Sequence, residues 1–136
     1  MAAELNIGGT DTERVFLDTD WTKAWKVADI DTDPTGATAK NIAAFAMTFD
    51  IRRSPSSTTA LLSKTVGSGL TVSGVFNSVL ATSTQVVTLT VADTDITTAI
   101  FGTRGGDFYY SLKRTDAGSE TILAHGTIKI ERATQA

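Results

Sequence analysis

The stretch Asp107 to Arg132 constrains the fold more than any other part of the chain. It reads Asp-Phe-Tyr-Tyr-Ser-Leu-Lys-Arg-Thr, then Asp-Ala-Gly-Ser, then Glu-Thr-Ile-Leu-Ala-His-Gly-Thr-Ile-Lys-Ile-Glu-Arg. Two β-type runs flank a short polar turn that holds Gly118, the sequence form of a β-hairpin. Period two puts Phe108, Tyr110 and Leu112 on one face of the first strand. It puts Ile122, Ala124, Gly126, Ile128 and Ile130 on one face of the second. A slip of one residue would turn either set to water, so the pattern also sets the register.

About a sixth of the chain is threonine, a β-branched residue suited to a half-buried pleated surface. With only 2 prolines and 20% charged residues in 136 positions, this composition leans towards an all-β domain with room for a core. The net charge is -3 and no basic run exists. A phosphate-binding footprint is therefore missing, and so is a cationic membrane-binding face. The chain has no cysteine, so disulfides, thiolate metal sites and cysteine nucleophiles are excluded. No run has the length of a membrane-spanning helix. No secretory leader pattern opens the sequence, so the expectation is a soluble protein used without secretion.

The alternation predicts seven to eight strands at short spacing. Residues 1–12 are expected as a flexible N-terminal arm, 13–132 as the sandwich and 133–136 as a tail. Glu13–Leu17 and Trp21–Ala28 begin the strands, with Trp25 and Val27 expected in the core. Asp29–Asn41 is turn-rich. Phe45, Met47, Phe49 and Ile51 then alternate with polar or small residues. Ala60–Val66, Leu70–Ser73 and Gln85–Val91 follow, and Gly74–Ser83 reads ambiguously. One helical turn is expected near 93–100, capped by Asp93 or Thr94. Gly105–Gly106 should supply positive φ before the hairpin. The expectation is a single antiparallel, immunoglobulin-like β-sandwich, although the Cys…Trp…Cys framework is absent.

Candidates for chemistry are few. Asp29, Asp31 and Asp33 have the spacing that opens an EF-hand loop, but Pro34 and Lys40 stand where Gly and Glu belong. An acidic turn explains them, and a loop cation site stays open as the alternative. Asp18/Asp20 and Asp93/Asp95 read as turn and cap residues rather than a glycosidase pair. His125, the single histidine, falls on the strand face opposite Ile122, Ala124 and Ile128. No Gly-x-Ser-x-Gly elbow accompanies it. Trp21, Trp25, Tyr109 and Tyr110 would make a carbohydrate platform if they shared one exposed face. More simply, Trp25 and Tyr110 are core and Trp21 and Tyr109 sit at a protein contact. The interface candidates are Trp21, Arg52, Arg53, Tyr109 and His125. No catalytic residue, metal ligand or cofactor site is expected.

From Gly36 onward, the order of phrases resembles small β-sandwich structural proteins of tailed bacteriophages. The phrases are Thr-Gly-Ala-Thr, Phe-Asp-Ile-Arg, Gly-Leu-Thr-Val-Ser-Gly, the Asp93-Thr-Asp95 turn, and Tyr-Tyr-Ser-Leu-Lys-Arg-Thr-Asp-Ala-Gly-Ser-Glu-Thr-Ile-Leu-Ala-His-Gly. The resemblance covers about three quarters of the chain. It implies an immunoglobulin-like fold and a virion location after assembly in the host cytoplasm. Its partners would be the major capsid protein or other virion proteins, with self-association and no nucleic acid or membrane. A capsid decoration or cement subunit is the first expectation and a tail or baseplate adaptor the second. From another class, a carbohydrate-binding module is the alternative.

Overall fold

The structure is a computed structural model that describes residues 4–6, 12–29, 32–102 and 105–131. Among the described residues ten strands appear, in the order β1 (Glu4–Asn6), β2 (Thr12–Phe16), β3 (Trp21–Trp25), β4 (Val27–Asp29), β5 (Met47–Arg52), β6 (Ala60–Val66), β7 (Gly69–Ser73), β8 (Val86–Val91), β9 (Gly105–Arg114) and β10 (Thr121–Glu131). A 3-10 turn at Asp93–Asp95 and one helical turn, α1 (Thr98–Phe101), lie between β8 and β9.

Eight strands form one continuous ladder, β2-β10-β9-β5-β6-β7-β8-β3. The ladder turns a corner at Gly67–Gly69, where β6 hands over to β7 through only two parallel pairs. One side of the corner is a front sheet, β2-β10-β9-β5-β6. The other is a back sheet, β7-β8-β3. The two face each other across aromatic contacts from β3 to β5. Phe49 is fully buried and sits within about 6 Å of three rings, Trp21, Trp25 and Tyr110. The alternating set Phe45, Met47, Phe49 and Ile51 is buried as the sequence requires, as are Phe108, Tyr110 and Leu112. Burial of such side chains is worth about 1.5–3 kcal/mol each.

The long hairpin β9–β10 is antiparallel, with Gly118 at φ 82° in its turn. Gly105 and Gly106 both have positive φ. At Gly105 a Cβ would overlap the Ile130 carbonyl oxygen, so only glycine lets the two strands start this close. At the other end of the hairpin, the Arg114 guanidinium lies 3.7 Å from the Phe45 ring centroid. Asp116 accepts hydrogen bonds from Arg114 Nε at 2.8 Å and from the Ala46 N–H at 3.1 Å.

Three features differ from the sequence expectation. The run Trp21–Ala28 is two strands broken at Lys26: β3 pairs with β8, while β4 pairs with β1. Secondly, not every pairing is antiparallel, because β2 runs parallel to β10. The N-terminal stretch thus contributes β1 to β4 and β2 to the front sheet. The rest of the expected arm, residues 1–3 and 7–11, lies outside the described residues, as does the expected tail 133–136. Thirdly, the 3-10 turn is not capped by its own Asp93 or Thr94. Asp20 Oδ1, from the β2–β3 turn, accepts the Asp93 N–H at 2.7 Å, and Asp95 Oδ2 accepts the Ala92 N–H at 3.0 Å.

Candidate functional site

The outer face of the front sheet carries a groove of about 450 Å³. Its floor follows from register. Arg52 on β5 pairs with Tyr109 on β9, which pairs with Thr127 on β10. One rung along, Asp50, Ser111 and His125 stand opposite one another on the same three strands. Period two sends all six side chains outward, because their neighbours Ile51, Tyr110 and Leu112 point into the core. Pro55, from the β5–β6 loop, and Ile122 complete the walls.

Arg52 is fixed in place. Its Nη2 donates to Asp50 Oδ2 at 2.9 Å and its Nη1 to the Ser57 carbonyl at 2.8 Å. It therefore ties the groove floor to the loop that bears Pro55. Side chains held this way lose little freedom when a partner docks.

Ile122 reaches the groove because of a β-bulge. The β9–β10 register shifts between Ile122 and Ala124, leaving Leu123 as the extra residue. Leu123 is 1% exposed and Ala124 3%, while Ile122 is 46% exposed. This corrects the period-two reading, which put Ile122 with Ala124 and Ile128 on the face opposite His125. Ile122 and His125 line the same groove. An inserted residue flips the face of everything before it, and that is how a bulge re-aims a side chain.

Of the five interface candidates, Arg52, Tyr109 and His125 come together in the groove. The other two do not join them. Trp21 is half-buried on β3 with its ring edge-on to Phe49. Arg53 is exposed, and its guanidinium lies 5.4 Å from the Phe108 ring centroid. Trp25 and Tyr110 are buried, as the core reading expected, so the four rings share no exposed face and of them only Tyr109 is presented on this outer face. Sequence reasoning missed Ile122 and Pro55. The signal for Ile122 was the run Ile122-Leu123-Ala124, three successive apolar residues that strict alternation cannot place.

The row Asp50–Ser111–His125 contains the three residue types of a hydrolytic triad in the wrong order. A triad sets the imidazole between serine and carboxylate. Here the serine occupies the middle strand, and Asp50 is engaged by Arg52.

The acidic loop is a hydrogen-bonded turn. Asp33 accepts from Thr35 Oγ1 and Thr38 Oγ1, both at 2.6 Å, and from the Thr35 N–H at 3.2 Å. The Thr35 hydroxyl, then the Thr38 hydroxyl, hold its carboxyl below the ordinary value. Asp29 accepts from the Thr32 N–H at 3.4 Å. Asp31 lies outside the described residues. Among the described residues no three His, Asp or Glu side chains gather as ion ligands.

No family model and no curated protein sequence matches the chain. Among solved structures, that of the BTLA ectodomain aligns over 96% of this chain and 99% of its own, with a TM-score of 0.50 and 13% identity. The fold is immunoglobulin-like. At that identity the likeness speaks for the fold alone, and the outer faces of the sandwich must be read from this chain's own residues.

Proposed function

We propose that this chain is a non-enzymatic structural protein of a tailed bacteriophage virion. Its first role is that of a capsid decoration or cement subunit, docking on the major capsid protein through the outer face of the front sheet. The observation that carries the docking part is the groove that joins Arg52, Tyr109, Ile122 and His125. Tyrosine and arginine are the residues that dominate protein contacts, most of all in pockets where they are braced. The virion part is supported by the phrase resemblance from Gly36 to the closing hairpin. A tail or baseplate adaptor is the other place for the same domain in the same particle.

The groove also sets the terms of the carbohydrate alternative. Tyr109 is its one outward ring, so a sugar would have to stack there rather than on Trp21.

Gold-labelled antibody on intact particles tests the proposal. Label distributed over the head supports decoration, and label confined to the tail tip supports the adaptor. Label on neither, together with glycan binding that disappears in Tyr109→Ala, would replace the virion reading with the carbohydrate module. Deleting residues 1–11 is a poor probe of docking. It removes β1 and leaves β4 without that partner, so folding and docking would change together.

A further inference from the structure

Register divides the front face into rungs of different chemistry. Arg52, Tyr109 and Thr127 stand on the first, Asp50, Ser111 and His125 on the second, and Thr48, Lys113 and Ile122 on the third. From Tyr109 to Lys113 the β9 backbone rises about 13 Å. An extended segment of about five residues covers that length, and its alternate side chains fall at the spacing of the rungs.

The middle of the groove offers donors and cations, while its acceptor is taken. Asp50 is the one carboxylate on these rungs, and Arg52 Nη2 already donates to it at 2.9 Å. A guanidinium has more N–H donors than the two that Arg52 commits to Asp50 and the Ser57 carbonyl. The Ser111 hydroxyl and the His125 ring make no hydrogen bond among the described residues. Lys113 is exposed, and no carboxylate of the described residues pairs with it. The rungs thus set Arg52 and Lys113 against Asp50 alone, a basic surplus in a chain with 15 acidic and 12 basic residues. The two ends are apolar. Ile122 is 46% exposed on the third rung, and Pro55 is exposed in the loop that follows Arg52.

We propose that the groove grips an extended acidic segment of its partner, which presupposes that the groove is the docking face. One carboxylate lies over Arg52, Ser111 and His125. Apolar side chains two residues to either side lie on Ile122 and Pro55. Charge complementarity selects the carboxylate. An incoming acid meets unused donors and a surplus of cations, whereas an incoming base meets only a carboxylate that Arg52 holds. A phosphate polyanion fits less well, because it needs a run of cations that this face lacks. Apolar flanks keep water from the charged contact and strengthen it.

Nuclear magnetic resonance titration of the isotope-labelled chain with the peptide acetyl-Val-Thr-Glu-Thr-Val-amide tests this. Amide signals of Ser111, His125 and Thr127 should shift, and those of β7 and β8 should stay in place. Changing the peptide's glutamate to glutamine should weaken binding by about three- to fivefold. Lys113→Glu, with the melting temperature of the parent, should weaken the glutamate peptide and spare the glutamine one. Among the described residues His125 is faced by Asp50 and Ser111 across its rung, by Arg52, Tyr109 and Thr127 on the first rung and by Lys113 on the third. Its imidazolium holds a carboxylate better than the neutral ring does. Affinity for the glutamate peptide should therefore rise as pH falls from about 7.5 to 5.5, and His125→Gln should remove that rise.

No shift at these amides up to about 5 mM peptide, or equal affinity for the two peptides, overturns the proposal. So do groove signals that move with the chain's own concentration, which put a second copy there. The docking face itself fails by a different result. If particles stripped of the protein take up the Tyr109→Ala, His125→Ala double variant at full occupancy, the groove is not the docking face and the acidic segment falls with it. An inert peptide together with lost occupancy removes the acidic segment and leaves the docking face standing.

Discussion

The two outer faces of the sandwich share one core and differ in almost everything else. On the front sheet, outward positions hold Asp50, Arg52, Tyr109, His125 and Lys129; a charged hydrogen bond joins Arg52 to Asp50, and a bulge and a loop proline shape the groove beside them. On the back sheet they hold Thr22, Ala24, Thr71, Thr88 and Thr90, with no formal charge. The inward positions of both sheets meet on Phe49 and are mostly apolar and alternating, with Lys64 opposite Phe49 and Lys23 opposite Leu89 as the charged exceptions. The difference therefore lies in the half of each strand that the fold leaves unconstrained. A fold of this type specifies one face of each sheet and leaves the other for recognition.

The contrast can be broken most severely at the shared core. Phe49→Ala should cost about 3–5 kcal/mol, in a single cooperative urea transition that abolishes both faces together. Two separate transitions would show that the sheets stand independently. A smaller and one-sided effect is expected from Gly105→Ala. Its Cβ would collide with the Ile130 carbonyl, a strain of about 1–3 kcal/mol. Amide chemical shifts should move along β9 and β10 and stay in place along β7 and β8. Equal disturbance of both sheets would count against treating them as separate surfaces.

Acid should act at two separate places at the margins of the front sheet, through different carboxylates. Asp116 is held below the ordinary value of 3.8 by the Arg114 guanidinium first and the Ala46 N–H second, and Asp95 chiefly by Lys64. For each, the folded value is depressed, so its contribution is fully present above the unfolded value. That contribution is lost as pH falls through the folded one. Asp116→Asn should flatten the acid limb of a melting-temperature profile below about pH 4 and loosen the hairpin end of the front sheet. Asp95→Asn should flatten the same limb while acting on the Lys64 corner, where the ion pair measures 2.9 Å. An unchanged acid limb in both variants would mean that neither pair supports the fold.

Much of the architecture was legible because burial writes itself into period two. Met47 to Ile51, Val87 to Val91 and Phe108 to Leu112 alternate, and β6 has the bounds that the sequence suggests. What escaped had no local signature. The break at Lys26 and the parallel pairing of β2 depend on partners about a hundred residues away in the chain or on a second sheet. The bulge at Leu123 adds one residue without altering composition, so a strict alternation put Ile122 on the wrong face. Within the groove, Arg52, Tyr109 and His125 were legible as outward residues on strands. Their convergence was not, since it rests on a three-strand register.

The most direct test of the central claim, that the front face is the docking face, is re-decoration of particles stripped of this protein. Purified chain carrying both Tyr109→Ala and His125→Ala should keep its stability to within about 1 kcal/mol, because both residues lie outside the core. Its occupancy on the particles should nevertheless fall by about thirtyfold or more at limiting concentration, the loss expected when two contact residues leave the centre of an interface. Full occupancy by the folded double variant, at the concentration where the parent half-saturates, would contradict the account.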